Sequence, residues 1–151
     1  MKVLFVCTGN TCRSAMAEVM LRQAAEAAGV GHLEVSSAGI GAWEGAAASE
    51  GAYLVLLEQG LDLSSHRARL LTKELVDESD LILTMARSHL GRVREMGGGA
   101  RAHLLGEYAG RAGESSEVRD PYGAELEQYR ETQRELAEMM PAVLSRLSGG
   151  A

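Results

Sequence analysis

The chain has 151 residues, with 46% hydrophobic and 24% charged residues. That is the balance of a folded globular chain rather than a disordered one, and the length fits one domain with a sizeable core, taken as residues 1–151. Fifteen basic against 21 acidic side chains leave a net charge of −6, which argues against nucleic acid as a general partner. No apolar run approaches the roughly 18 residues of a membrane span. Met1 to Val6 leads straight into polar residues, so no signal peptide is expected. Two cysteines are too few for a secreted disulfide scaffold, and a reducing, cytoplasmic setting is expected.

In chain order, Val3 to Cys7 is a short, β-branched apolar run ending at Thr-Gly-Asn, which reads as a buried strand. Ser14 to Ala28 carries Met16, Val19, Met20 and Ala24 near helical spacing, and Gly29 ends it. Leu33 to Ala38 predicts a second strand. Ala46 to Gln59 predicts a second helix, stopped by Gly60. Thr72 is placed to cap a short third helix containing Leu75. Leu81 to Thr84 predicts a third strand and Ala102 to Leu105 a fourth, with Gly97 to Gly99 as a loop between them. Gly110 to Arg119 reads as a polar loop. Ala124 to Leu147 reads as the last helix, with Leu126, Tyr129, Leu136, Met140, Val143 and Leu147 on or near one face, and Pro141 is expected to bend or break it. The alternation defines an α/β fold, a mostly parallel sheet with helices on both faces. Ligands in such sheets bind beyond the strand C-termini, and the first such position is Cys7 to Ser14.

Residues 7–14 read C-T-G-N-T-C-R-S. A loop of this length between a strand and a helix wraps around one tetrahedral anion. Gly9 accepts positive φ, and Asn10 accepts it better than most residues. Backbone N–H groups turned inward form an anion nest, to which the following helix adds its positive end. Arg13 can hold two oxygens of a phosphate. Cys7 lies at the bottom of the cradle, where donors and positive charge favour the thiolate, a nucleophile for covalent phosphoryl transfer. A lone cysteine at a strand end is ordinarily a small buried hydrophobe; the full string of Cys, Gly-Asn and Arg-Ser between strand and helix points to catalysis. The two Gly-rich nucleotide loops, G-x-x-x-x-G-K-[ST] and G-x-G-x-x-G, are absent. Far along the chain, Asp120-Pro121-Tyr122 offers a carboxylic acid on a stiffened turn, a source of the leaving-group proton and later a base for water. The four histidines lack ligand spacing, so neither a metal nor another cofactor is expected. Glu125, Glu127, Glu131, Glu135 and Glu138 read as a solvated helix face.

Taken together, V-L-F-V-C-T-G-N-T-C-R-S at 3–14, S-A-G at 37–39 and D-P-Y-G at 120–123 resemble the low-molecular-weight protein phosphatase family over most of the chain. The resemblance implies a three-layer α/β sandwich with a four-stranded parallel sheet and the phosphate-binding loop after the first strand. It implies Cys7 as nucleophile, Arg13 as phosphate clamp and Asp120 as general acid. Asn10 and Ser14 match loop-shaping and thiolate-stabilising positions, and Thr8, Gly9, Thr11 and Cys12 complete the loop. Ala15 stands where the family commonly has proline. Within the family the chain is most similar to the bacterial protein-arginine phosphatases, chiefly through Thr11, where tyrosine-directed members carry a bulkier aliphatic residue. Ser65-His66, Leu71 to Leu75 and Gln128-Tyr129 with Thr132 also resemble that branch. Phosphoarginine is therefore favoured over phosphotyrosine as the substrate group. Asp120 would then also face the guanidinium. Trp43 and Tyr122 are expected either to wall the substrate pocket or to pack against the fold. Cys12 is either a resolving thiol for Cys7 or a small buried filler. Arsenate reduction would need further cysteines after Cys12, and a non-catalytic phosphate-binding module would need neither Cys7 nor Asp120. The expected partners are a phosphorylated protein or peptide and, as product, inorganic phosphate, with no nucleic acid and no membrane.

Overall fold

The computed structural model describes residues 1–149. Its centre is a four-stranded sheet built from β1 (Lys2–Cys7), β2 (Glu34–Gly39), β3 (Leu81–Thr84) and β4 (Ala102–Leu104), ordered β2-β1-β3-β4 and parallel throughout. The register pairs Val3 with Val35 and Leu81, and Cys7 with Gly39. Helices α1 (Arg13–Ala27), α2 (Glu50–Glu58) and α6 (Leu126–Leu147) cover one face; α3 (Lys73–Glu78) and α4 (Arg87–Glu95) cover the other. A short α5 (Leu105–Tyr108) follows β4. This is the expected three-layer α/β sandwich. Among the described residues no helix is long and apolar enough to cross a membrane.

The continuous apolar run of β1 follows from burial on both faces. Side chains alternate along a strand, so Val3, Phe5 and Cys7 enter the core under α1, α2 and α6, while Leu4 and Val6 enter the smaller core with Ile82, Val76 and Val93. Because β1 lies between β2 and β3, the chain leaves it toward β2 and later returns on its other side. The crevice this reversal opens lies at the C-terminal end of β1, directly after Cys7.

The elements depart from their expected bounds for identifiable reasons. Helix α2 begins at Glu50 rather than Ala46, because Ser49 caps it by accepting the Ala52 N–H at 3.4 Å. Ala46 and Ala47 are meanwhile committed to extended pairing, with Ala68 N–H donating to the Ala46 carbonyl at 2.7 Å and an antiparallel bridge joining Ala47 to Arg67. Helix α6 runs through Pro141 without interruption; Pro141 and Ala137, whose carbonyl it leaves without a helical donor, are both on the exposed side. Met139, Met140, Val143 and Leu147 pack the opposite side into the core. Helices α4 and α5 have no counterpart in the sequence reading. Only His89 and Val93 of α4 are buried, so it carries no apolar stripe to read.

Candidate active site

The loop from Cys7 to Ser14 closes over the end of β1, held from below by β2. Its carbonyls at Cys7 and Thr8 accept the N–H groups of Ile40 and Gly41 at 3.0 and 2.9 Å. Gly39 explains the S-A-G segment: a Cβ there would lie 2.5 Å from the Thr8 carbonyl oxygen and 2.9 Å from the Asn10 nitrogen. Both neighbours are backbone and neither can swing aside. Gly39→Ala is therefore expected to lower stability by about 1–3 kcal/mol and to weaken phosphate binding through the displaced loop, measured by thermal unfolding and phosphate titration.

The positive backbone angle in the loop belongs to Asn10, with φ of 56°, and not to Gly9. Asn10 is fully buried and every polar group on it is used. Its N–H donates to Cys7 Sγ at 3.3 Å. Its Oδ1 accepts the Arg69 N–H at 2.9 Å, which fixes the amide orientation and makes Nδ2 the double donor, to Ser14 Oγ and Ser37 Oγ, each at 2.8 Å. The Asn10 carbonyl accepts from His66 Nε2 at 2.6 Å. The Ser37 hydroxyl in turn donates to Glu18 Oε1 at 2.6 Å. Since Ser14 Oγ already accepts from Asn10, its own hydroxyl proton is free for Cys7 Sγ, 2.8 Å away. Two donors thus converge on the sulfur, the arrangement that stabilises negative charge there. His66, Ser37, Glu18 and Arg69 hold the loop from behind. In the sequence S-A-G and Ser65-His66 stand out only as resemblances, and no spacing signal marks Glu18 or Arg69.

Arg13 opens α1 and is only 5% exposed. One terminal nitrogen donates to the Val118 carbonyl at 3.0 Å, the other lies 3.6 Å from Asp120 Oδ2, and its buried Nε has no partner. A buried guanidinium with an unspent donor suits an anion in the cleft. The distant Asp120 reaches the loop because the polar segment before it is tied down. Val118 is buried and its N–H donates to the Met85 carbonyl just past β3, at 2.9 Å. Asp120 Oδ1 accepts the Tyr122 N–H at 3.0 Å, a local turn that presents the carboxylate.

These residues line a cleft of about 340 Å³ comprising Cys7, Thr8, Gly9, Thr11, Cys12, Arg13, Gly41, Trp43, Ala46, Asp120 and Tyr122. Asn10 and Ser14 lie behind it. Trp43 and Tyr122 stand at the mouth, 84% and 71% exposed. The structure therefore brings Cys7, Arg13 and Asp120 together with the whole loop and both aromatics. Cys12 is buried, its Sγ 3.1 Å from Ser49 Oγ and 3.7 Å from the Tyr129 hydroxyl. A larger cleft of about 670 Å³ also borders Asp120, lined by Arg111, Glu131 and Glu135 among others, and contains no cysteine.

The comparisons with known proteins agree with this geometry. The sequence model of the low molecular weight phosphotyrosine protein phosphatases matches residues 2–149. A protein-arginine-phosphatase of Bacillus subtilis is 36% identical, with 97% of each chain covered. The crystal structure of a low molecular weight protein tyrosine phosphatase from T. tengcongensis superposes with a TM-score of 0.89 at 40% identity, covering 97% of this chain and 99% of that one. An arginine phosphatase, solved as a mutant with serine for cysteine and with that active-site serine phosphorylated, superposes with a TM-score of 0.84 at 35% identity, covering 98% and 96%. The chain belongs to the low molecular weight phosphotyrosine protein phosphatase family, whose members are cysteine-based phosphatases.

Proposed function

We propose that the chain, acting as one domain, hydrolyses phosphorylated protein side chains through a cysteinyl-phosphate on Cys7, with phosphoarginine the favoured group. The observation that carries the reading is the convergence of Ser14 and Asn10 donors on Cys7 Sγ, in a loop that also holds the unspent Arg13 guanidinium and faces Asp120. In the first step the Cys7 thiolate attacks phosphorus, the phosphorus–nitrogen bond breaks, and Asp120 gives its proton to the departing guanidine nitrogen. Arg13 and the loop N–H groups carry the charge on the phosphoryl oxygens. In the second step water attacks the cysteinyl-phosphate, Asp120 takes the proton, and inorganic phosphate leaves with the thiolate restored. The thiols of Cys7 and Cys12 are free, and a nucleophile that must stay reduced favours a cytoplasmic setting. The net charge of −6 disfavours nucleic acid as a partner.

Three features support phosphoarginine. Thr11, small and polar, lines the cleft, with its Oγ1 reaching over the bare Gly9. The Asp120 carboxylate at the rim complements a cationic guanidinium. The similarity to the Bacillus subtilis arginine phosphatase covers 97% of both chains. A phosphotyrosine reading draws on the exposed faces of Trp43 and Tyr122, which suit an aryl ring as well as a guanidinium plane. Steady-state assays on matched phosphoarginine and phosphotyrosine peptides decide between them. A higher kcat/KM for phosphoarginine is expected, and a higher value for phosphotyrosine would reverse the assignment. Thr11→Ile is expected to lower the phosphoarginine-to-phosphotyrosine ratio of kcat/KM by about ten-fold, the discrimination a pocket methylene or two can supply. An unchanged ratio would show that position 11 does not set the preference.

A further inference from the structure

His89 is 4% exposed, beneath the cleft, on a helix that buries only this residue and Val93. Both ring nitrogens are engaged. The Ala86 backbone N–H, which can only donate, points to Nδ1 at 3.1 Å, so Nδ1 accepts. The single proton of the neutral ring is then on Nε2, which donates to Thr8 Oγ1 at 2.9 Å. The ring stays neutral at ordinary pH, because burial first and the Arg13 charge second push its pKa down to about 4, against the opposite pull of Asp120 and Glu117. Thr8 follows the nucleophile and lines the cleft. Its oxygen already accepts from His89, and its own hydroxyl proton has no partner among the described residues.

We propose that His89 is a positioning residue for phosphate capture: by accepting from Ala86 and donating to Thr8 it leaves the Thr8 hydroxyl as a committed donor, aimed at a phosphoryl oxygen seated beside Cys7. The proposal rests on the phosphatase reading for the identity of that oxyanion. A hydroxyl that accepts one hydrogen bond becomes a stronger donor in the next, so the effect of His89 reaches the ligand without contact. The same arrangement has a structural component, since the Nδ1 contact closes the first turn of α4. The two roles separate by substitution. Asparagine places an acceptor where Nδ1 is and keeps the turn, but falls short of Thr8; glutamine places a donor near Nε2 and reaches it.

The test is titration of inorganic phosphate into the wild-type protein, His89→Asn, His89→Gln, Thr8→Val and the double variant His89→Asn/Thr8→Val, with thermal unfolding of each. Losing a hydrogen bond to a charged oxygen weakens binding by about ten-fold or more. His89→Asn and Thr8→Val are each expected to show that loss, the double variant to be no weaker than Thr8→Val alone, and His89→Gln to recover most of the affinity. Imidazole NMR of the wild-type protein is expected to show His89 as the Nε2–H tautomer. Wild-type phosphate affinity in His89→Asn, an equal loss from it in the Thr8→Val background, or an Nδ1–H tautomer would overturn the proposal. Should His89→Asn fail to fold, undiminished phosphate affinity in Thr8→Val, at an exposed position, overturns it alone. The titration does not depend on turnover, so a protein inactive on phosphopeptides that still shows this coupling contradicts only the catalytic reading.

Discussion

Replacing Cys7 with serine is expected to reduce steady-state turnover by about 10⁴-fold or more while leaving phosphate and vanadate bound with affinity near that of the wild-type protein. The asymmetry follows from the division of labour in the loop. Anion binding draws on backbone N–H groups, on Arg13 and on the positive end of α1, none of which the substitution removes. Turnover needs a nucleophile that is ionised when it attacks and a good leaving group when water displaces it. Sulfur satisfies both, with donors from Ser14 and Asn10 already in place at 2.8 and 3.3 Å. A serine oxygen is a far weaker nucleophile at neutral pH, and a phosphate once transferred to it is hard to remove. The check is kcat/KM together with direct binding titrations of phosphate and vanadate. Turnover close to wild type in Cys7→Ser would exclude the covalent mechanism.

The second large effect is expected at Asp120. Asp120→Asn keeps the size of the side chain and the Oδ1 acceptor for the Tyr122 N–H, so the turn should hold. It removes the proton that can be given and retrieved, together with the charge that faces Arg13. Hydrolysis of phosphopeptides with poor leaving groups is expected to fall by about 10²–10⁴-fold. An activated aryl phosphate, whose leaving group departs unprotonated, should lose far less in its first step and should expose the second. That split distinguishes an acid from a residue that merely steadies Arg13 at 3.6 Å, whose loss would slow both substrates alike. An equal loss on good and poor leaving groups would remove Asp120 from the role of acid.

The parts of the fold legible in the sequence are those whose pattern is local. β1 shows itself because both faces are buried and no polar residue interrupts Val3 to Cys7. The loop is legible because its chemistry lies within eight consecutive residues. Asp120-Pro121 is legible only once the loop supplies a reason to look for an acid. What stayed hidden depends on contacts far apart in sequence. Ala46 looks helical until Ala68 and Arg67 claim its neighbourhood. Helix α4 is polar over most of its surface and forms where the sheet edge and the Glu117 carboxylate receive it, with Glu117 accepting the Arg87 N–H at 2.7 Å. His89 reaches Thr8 across 81 positions and His66 reaches Asn10 across 56, and nothing in residue spacing announces either. Gly9 and Asn10 are both candidates for positive φ by residue type, and Asn10 is the one that takes the left-handed conformation. Its side chain is the hub of the buried network, which glycine could not be.

Phosphate that passes through Cys7 can be trapped there. The most direct measurement is to mix Asp120→Asn with an activated aryl phosphate, quench it and map the label by mass spectrometry. With the first step preserved and the base for water removed, phosphate is expected to accumulate on the peptide containing Cys7, at up to one per chain. Turnover of the aryl phosphate with no label at Cys7, or with label on another side chain, would exclude a cysteinyl-phosphate on Cys7.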